Sequence, residues 1–146
     1  MNTVNQAPET ISSIQGIISK IQNKSVDAEI IIEDTRRLIS EIDGAIKAWQ
    51  TLNWDHVSKQ LDFLVSRQNW RFLPLASVPI AVKDVYDTAD FVTTYGSTIY
   101  ENHRPSTDAK LVAILRSLGA IVVGKTVTTE FAYWQPGPTV NPHNTR

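Results

Sequence analysis

The sequence contains no cysteine, which excludes disulfides, thiolate metal sites and a cysteine nucleophile. It holds one methionine and six glycines, and it has no low-complexity tract or internal repeat. No apolar run approaches the roughly 18 residues that a membrane span needs, and the first basic side chain is Lys20, so neither a span nor a signal peptide is predicted. Neither sign of charge is in excess. Lys and Arg number 14 against 15 Asp and Glu in 146 residues, and both halves of the chain are balanced. That balance argues against a face for nucleic acid or anionic lipid. A soluble cytoplasmic protein is the expectation, and with 42 % hydrophobic residues the chain can bury an ordinary core.

Proline is nearly absent from the first half: six of the seven prolines stand at or after Pro74. Before that point the pattern is helical. Ile11, Ile14, Ile18 and Ile21 recur at three- and four-residue spacing behind Pro8, which suits a first turn, although Gly16 costs this short helix about 1 kcal/mol. A second pattern runs from Ser25 through Ile31, Thr35, Leu38 and Ile42, supported by a Glu33–Arg37 pair and stopped at Gly44. Residues 45–50 alternate weakly as a short strand, and Asp55 is a candidate N-cap for a third helix through Val57, Leu61, Leu64 and Val65. Trp49, Trp54 and Trp70 read as core filler.

After Pro74 the texture is α/β. Residues 78–82 (VPIAV) predict a buried strand ending at Lys83, with Pro79 at an edge, a strand start or a bulge. Residues 106–118 predict a helix capped by Thr107 or Asp108, with Leu111, Val112, Leu115 and Leu118 on one face and Gly119 just past its end. Residues 120–123 (AIVV) follow as a strand, and 134–146, rich in turn residues, should be irregular.

One motif is set aside. Gly119 to Thr126 satisfies the GxxxxGK[ST] pattern of a phosphate-binding loop, which needs a strand before it, an open loop within it and a helix after it. Here a helix precedes, and the interior residues AIVV belong in a sheet whose N–H groups are already bonded. Gly119 reads instead as a helix cap and Gly124 as a turn after a strand, which leaves a nucleotide binder as the third hypothesis. His56, His103 and His143 have no metal-ligand spacing among them.

Six separated blocks carry a resemblance. VPIAVKD (78–84), TTYGS (93–97), P-x-x-DA-x-x-V-x-x-LR-x-x-GA (105–120), VGKT (123–126), TEFA (129–132) and NP (141–142) stand in order. Together they resemble the N-terminal part of the amidase signature family, and the segment from about 26 to 72 is similar to the helical leader of many members. The resemblance implies an α/β fold. Residues 1–72 would be the leader, and 73–146 the first strands and helices of a mixed sheet core.

It also implies hydrolysis of a carboxamide C–N bond by a serine, a bridging serine on a cis peptide and a lysine, with no metal or organic cofactor. The family's lysine falls on Lys83, which would deprotonate the bridging serine. An alcohol needs a base, and a lysine is a base only when neutral. At an unperturbed pKa near 10.4 that costs roughly 4.6 kcal/mol at pH 7, most of which burial can remove. A place after an apolar strand suits such burial. Asp84 either orients Lys83 or is a solvated or capping carboxylate, and Asp108 reads as a cap. Phe131, Ala132 and Tyr133 are the implied wall of the substrate site, and Ser77 stands where a glycine is usual.

The family's Gly/Ser-rich stretch follows its NP block, whereas this sequence closes at Arg146, and none of its serines sits in a Gly-rich elbow. The expectation is a truncated amidase carrying the lysine without either serine, inactive alone and poorly soluble because its strands lack neighbours. A small amide would be the intact enzyme's partner, with no nucleic acid and no membrane, and a homo-oligomer is allowed. The alternative is a non-catalytic remnant that binds other chains through the helices of 9–65.

Overall fold

A computed structural model describes residues 13–144. Among the described residues are four helices and three strands, which makes this part of the chain mixed α/β. The first helix, α1 (Ile14–Gln22), starts where Ser13 Oγ accepts the Gly16 N–H at 3.2 Å. It buries Ile17 and Ile21, while Ile14 is exposed, so the inward stripe is displaced from the one expected. Pro8 and Ile11 lie outside the described residues. Helix α2 (Ala28–Ile46) runs past Gly44, the expected stop. It ends instead on Lys47 in the left-handed conformation, whose N–H reaches the Asp43 carbonyl at 2.7 Å while Asp43 Oδ1 takes the Ala48 N–H. Arg37 pairs with Asp34 and Glu41 rather than with Glu33.

Strand β1 (Trp49–Leu52) lies slightly beyond the stretch expected for it. Helix α3 (Trp54–Ser66) is capped by Asn53, whose Oδ1 accepts the His56 N–H at 3.1 Å, and not by Asp55, which sits in its first turn. Strand β2 (Pro79–Lys83) begins on its proline, where a missing N–H costs no ladder bond. The turn entering it holds Ser77 at φ 59°, a left-handed position that favours glycine. Helix α4 (Lys110–Ser117) is shorter than predicted and is preceded by Ala109. Asp108 is therefore no cap: it accepts the Ala89 N–H at 2.8 Å and pairs with Arg116 at 3.0 Å. The far end of α4 follows the pattern expected of its glycine. Gly119 at φ 99° donates to the Arg116 carbonyl, and Ala120 donates to that of Leu115, which is a Schellman closure.

Strand β3 (Ile121–Thr126) is central, in the order β1-β3-β2, antiparallel to β1 and parallel to β2. Gly124 is thus inside the strand rather than in a turn, and the reason is space: a Cβ there would come 2.3 Å from the Thr51 carbonyl oxygen. The sheet crosses the 72/73 boundary, since β1 of the first segment pairs with β3 of the second. So does the main core, where Ile17, Ile31, Val57 and Leu64 meet Val78 and Ile121. A smaller cluster joins Val82, Phe91, Val112 and Val122 across the sheet.

Beyond Leu52 the β1-side edge of β3 is completed by a side chain. Gln60 of α3 accepts the Val122 N–H at 3.0 Å and donates to the Val122 carbonyl at 2.9 Å, mimicking a paired strand. Arg116 donates to the same Gln60 oxygen while its other amine holds both Asp90 oxygens at 2.7 Å.

Candidate active site

Strands β2 and β3 are apolar until their last residues, where each delivers a lysine to the same end of the sheet. The β2–β3 register jumps from Ile80↔Val122 to Ala81↔Gly124, so Val123 is an extra residue on β3. After this bulge Val82 faces Lys125 and Lys83 faces Thr126. Directly paired residues share a face of a sheet, so the two lysines point to opposite faces.

Their environments differ accordingly. Lys125 is fully buried, as is Asp84. Nζ of Lys125 lies 3.0 Å from Asp84 Oδ1, an ion pair by distance that lacks hydrogen-bond alignment at that oxygen. It also donates to Thr93 Oγ1 at 2.6 Å and to the Tyr86 carbonyl at 2.9 Å. The other Asp84 oxygen accepts the Thr94 N–H at 3.0 Å and the Thr94 hydroxyl. Burial pushes the Lys125 ammonium below its ordinary range, and the Asp84 carboxylate opposes that shift. Asp84 is therefore neither solvated nor a cap.

Lys83 is exposed, contrary to the burial expected of a lysine after an apolar strand. The physical reason is topological: β2 is an outer strand of the sheet, and the face that carries Ala81 and Lys83 is uncovered among the described residues. Its side chain borders an open cleft of about 380 Å³ lined by Thr126, Thr128, Thr129, Pro136, Gly137 and Thr139. No ion pair of Lys83 occurs among the described residues.

Phe131, Ala132 and Tyr133 lie in and just after a 3₁₀ turn (Glu130–Ala132) next to this cleft, and all three are exposed. They do not line the cleft, whose walls come from the residues on either side of them. Both Phe131 and Ala132 have positive φ, as does Tyr95 opposite, whose carbonyl accepts the Phe131 N–H at 2.7 Å. The Tyr95 phenol donates to Asp87 at 2.5 Å, and this bond, with burial, raises it to about 12. His56 and His103 pack on the rings of Phe91 and Tyr95, and no group of three or more acidic or histidine side chains among the described residues could hold a metal.

The residue that sequence reasoning missed is Lys125, which it read only as part of the rejected phosphate-loop pattern. A signal was present: the apolar runs VPIAV and AIVV are each followed within three residues by a charge that the core must pair, Asp84 and Lys125. From Ile121 on, the phosphate-loop pattern is a strand here, paired with β2 and, from Gly124, with β1 as well.

A family model for amidase matches residues 31–146. The chain belongs to the amidase family. Among its relatives, a glutamyl-tRNA(Gln) amidotransferase component of Lactobacillus gasseri is 35% identical over 121 residues, covering 82% of this chain and 24% of that protein. The urea amidolyase of Saccharomyces cerevisiae is 36% identical over 121 residues, covering 82% of this chain and 6% of that one. Of solved structures, a chain of a vestigial complex bearing on the evolutionary origins of an s-triazine catabolic enzyme superposes with TM-score 0.83 at 30% identity, over 92% of this chain and 31% of that one. The peptide amidase of Stenotrophomonas maltophilia does so with TM-score 0.75 at 25% identity, over 91% of this chain and 28% of its own. This amidase-family chain thus spans about a quarter of the first of these relatives and under a third of the two solved chains. No described helix is long and apolar enough to cross a membrane.

Proposed function

We propose that this chain is the portion of an amidase that supplies the general base, and that Lys83 is that base. The observation that carries the reading is the placement of the Lys83 amine: it ends β2 on an open, threonine-lined cleft and has no carboxylate partner among the described residues. Such an amine is available to take a proton from a serine hydroxyl, which would then activate the nucleophile that attacks a carboxamide carbon. None of the chain's own serines lies in a Gly-rich elbow, so the acceptor hydroxyls and the oxyanion donors come from the rest of the amidase domain. That same part would cover the cleft, exclude water from Lys83 and favour the neutral amine. Phe131, Ala132 and Tyr133, exposed beside the cleft, would meet the substrate only where it extends past the threonine walls. The direct check on this division of labour is an ammonia-release assay of the 146-residue chain with simple carboxamides. No release is expected; release that vanishes in Lys83→Met would contradict it.

A second reading is a non-catalytic chain that binds another protein. It is favoured by the exposure of Ile99 (79%), Tyr133 (82%) and Trp134 (69%). Sedimentation alone and mixed with an intact amidase separates the two. A chain that stays monomeric in both runs argues against the second.

A further inference from the structure

Three carboxylates follow Lys83 at intervals of three: Asp84, Asp87 and Asp90. Each is engaged by a residue from elsewhere in the fold. Lys125 lies 3.0 Å from Asp84, the Tyr95 phenol donates to Asp87 at 2.5 Å, and Arg116 holds Asp90 at 2.7 Å. Only the first of these pairs is fully buried, and only its carboxylate adjoins Lys83 in the chain.

Lys125 also grips the turn by which the chain leaves β2. The Lys83 carbonyl accepts the N–H groups of Val85 at 2.8 Å and Tyr86 at 3.0 Å, and the Tyr86 carbonyl in turn accepts Nζ of Lys125. Through Asp84 the same ammonium is tied to Thr94, at the start of the neighbouring turn. One buried cation therefore holds the backbone directly after Lys83 from two sides.

The charge matters as much as the geometry. A proton-accepting amine must spend part of its time neutral, and a bare carboxylate one residue away would hold the proton on it. Lys83 is exposed, so solvent screens part of that field, and a counter-charge 3.0 Å from Asp84 cancels most of the remainder.

We infer that Lys125 is a positioning residue for Lys83: it fixes the turn behind the base and cancels the Asp84 charge, leaving the Lys83 amine without a carboxylate to bind its proton. This deepens the reading of Lys83 as the base and rests on it.

The test is trace acetylation of the chain with acetic anhydride at about pH 8, in which Lys83 labelling is read against that of the exposed Lys59. Lys125→Met should slow Lys83 relative to Lys59 by about threefold, the effect of one uncompensated carboxylate across a strand. Lys125→Gln, which keeps a donor for Tyr86 and Thr93, should do the same. Lys125→Gln with Asp84→Asn should restore the wild-type ratio. A purely structural role predicts the opposite direction, because a loosened strand end labels as fast or faster. An unchanged or faster ratio, or one equal to that of the urea-unfolded chain in both single variants, overturns the proposal. Its failure would remove Lys125 from the account without touching Lys83, whose role falls only on turnover of a complete Lys83→Met enzyme.

Discussion

Lys125 and Asp84 meet at 3.0 Å with neither side chain reaching solvent. Removing one partner of such a pair leaves an uncompensated buried charge. Lys125→Met should therefore cost about 3–5 kcal/mol in urea unfolding, whereas the double variant Lys125→Met, Asp84→Leu should recover most of that loss. A double variant as unstable as the single one would mean that the damage is not electrostatic.

Gln60 stands in for a strand along Val122, and its amide bonds both backbone groups of that residue. Gln60→Ala should destabilise the fold by about 1–3 kcal/mol, because two buried backbone groups lose their partners. Hydrogen exchange of the Val122 amide should accelerate more than that of Lys125, which has strand neighbours on both sides.

Ser77 carries two local penalties: a left-handed backbone at φ 59° and a buried hydroxyl with no partner. Ser77→Gly should raise stability by about 1 kcal/mol, measured as a shift in the unfolding midpoint. A loss of stability would show that the hydroxyl matters in a way its surroundings do not reveal.

Tyr95 reports on the neighbouring turn. Its phenol, held by Asp87, titrates at about 12 in the native chain against an ordinary 10.0. A folded-state value above the unfolded one means that the native form keeps the proton longer. The associated stability is complete below pH 10 and drains away as pH rises through 12. Tyrosinate absorbance should show a late component near pH 12 that Tyr95→Phe removes.

Much of this was legible from residue pattern. AIVV runs into a strand whose apolar residues fill both faces of a buried ladder, VPIAV into an outer strand that turns Ile80 and Val82 inward and leaves Ala81 exposed, and Gly119 closes α4 as its position past the last apolar residue implied. Local signals failed where distant residues decide. Asp108 resembles a cap, but Arg116 and the Ala89 amide claim it. Gly124 resembles a turn, but the Thr51 carbonyl needs its missing Cβ. At the candidate site the same division holds. That Lys83 ends a strand is local information; that its strand is an outer one, and that Lys125 is the lysine sealed inside, depends on strand order and a bulge at Val123.

The most direct measurement is the turnover of a complete amidase containing this segment, with Lys83 replaced by methionine and folding checked by its unfolding midpoint. General-base catalysis of this kind predicts a fall in kcat of roughly 10²–10⁴-fold with the midpoint preserved. A folded Lys83→Met enzyme that turns over at the wild-type rate would contradict the account.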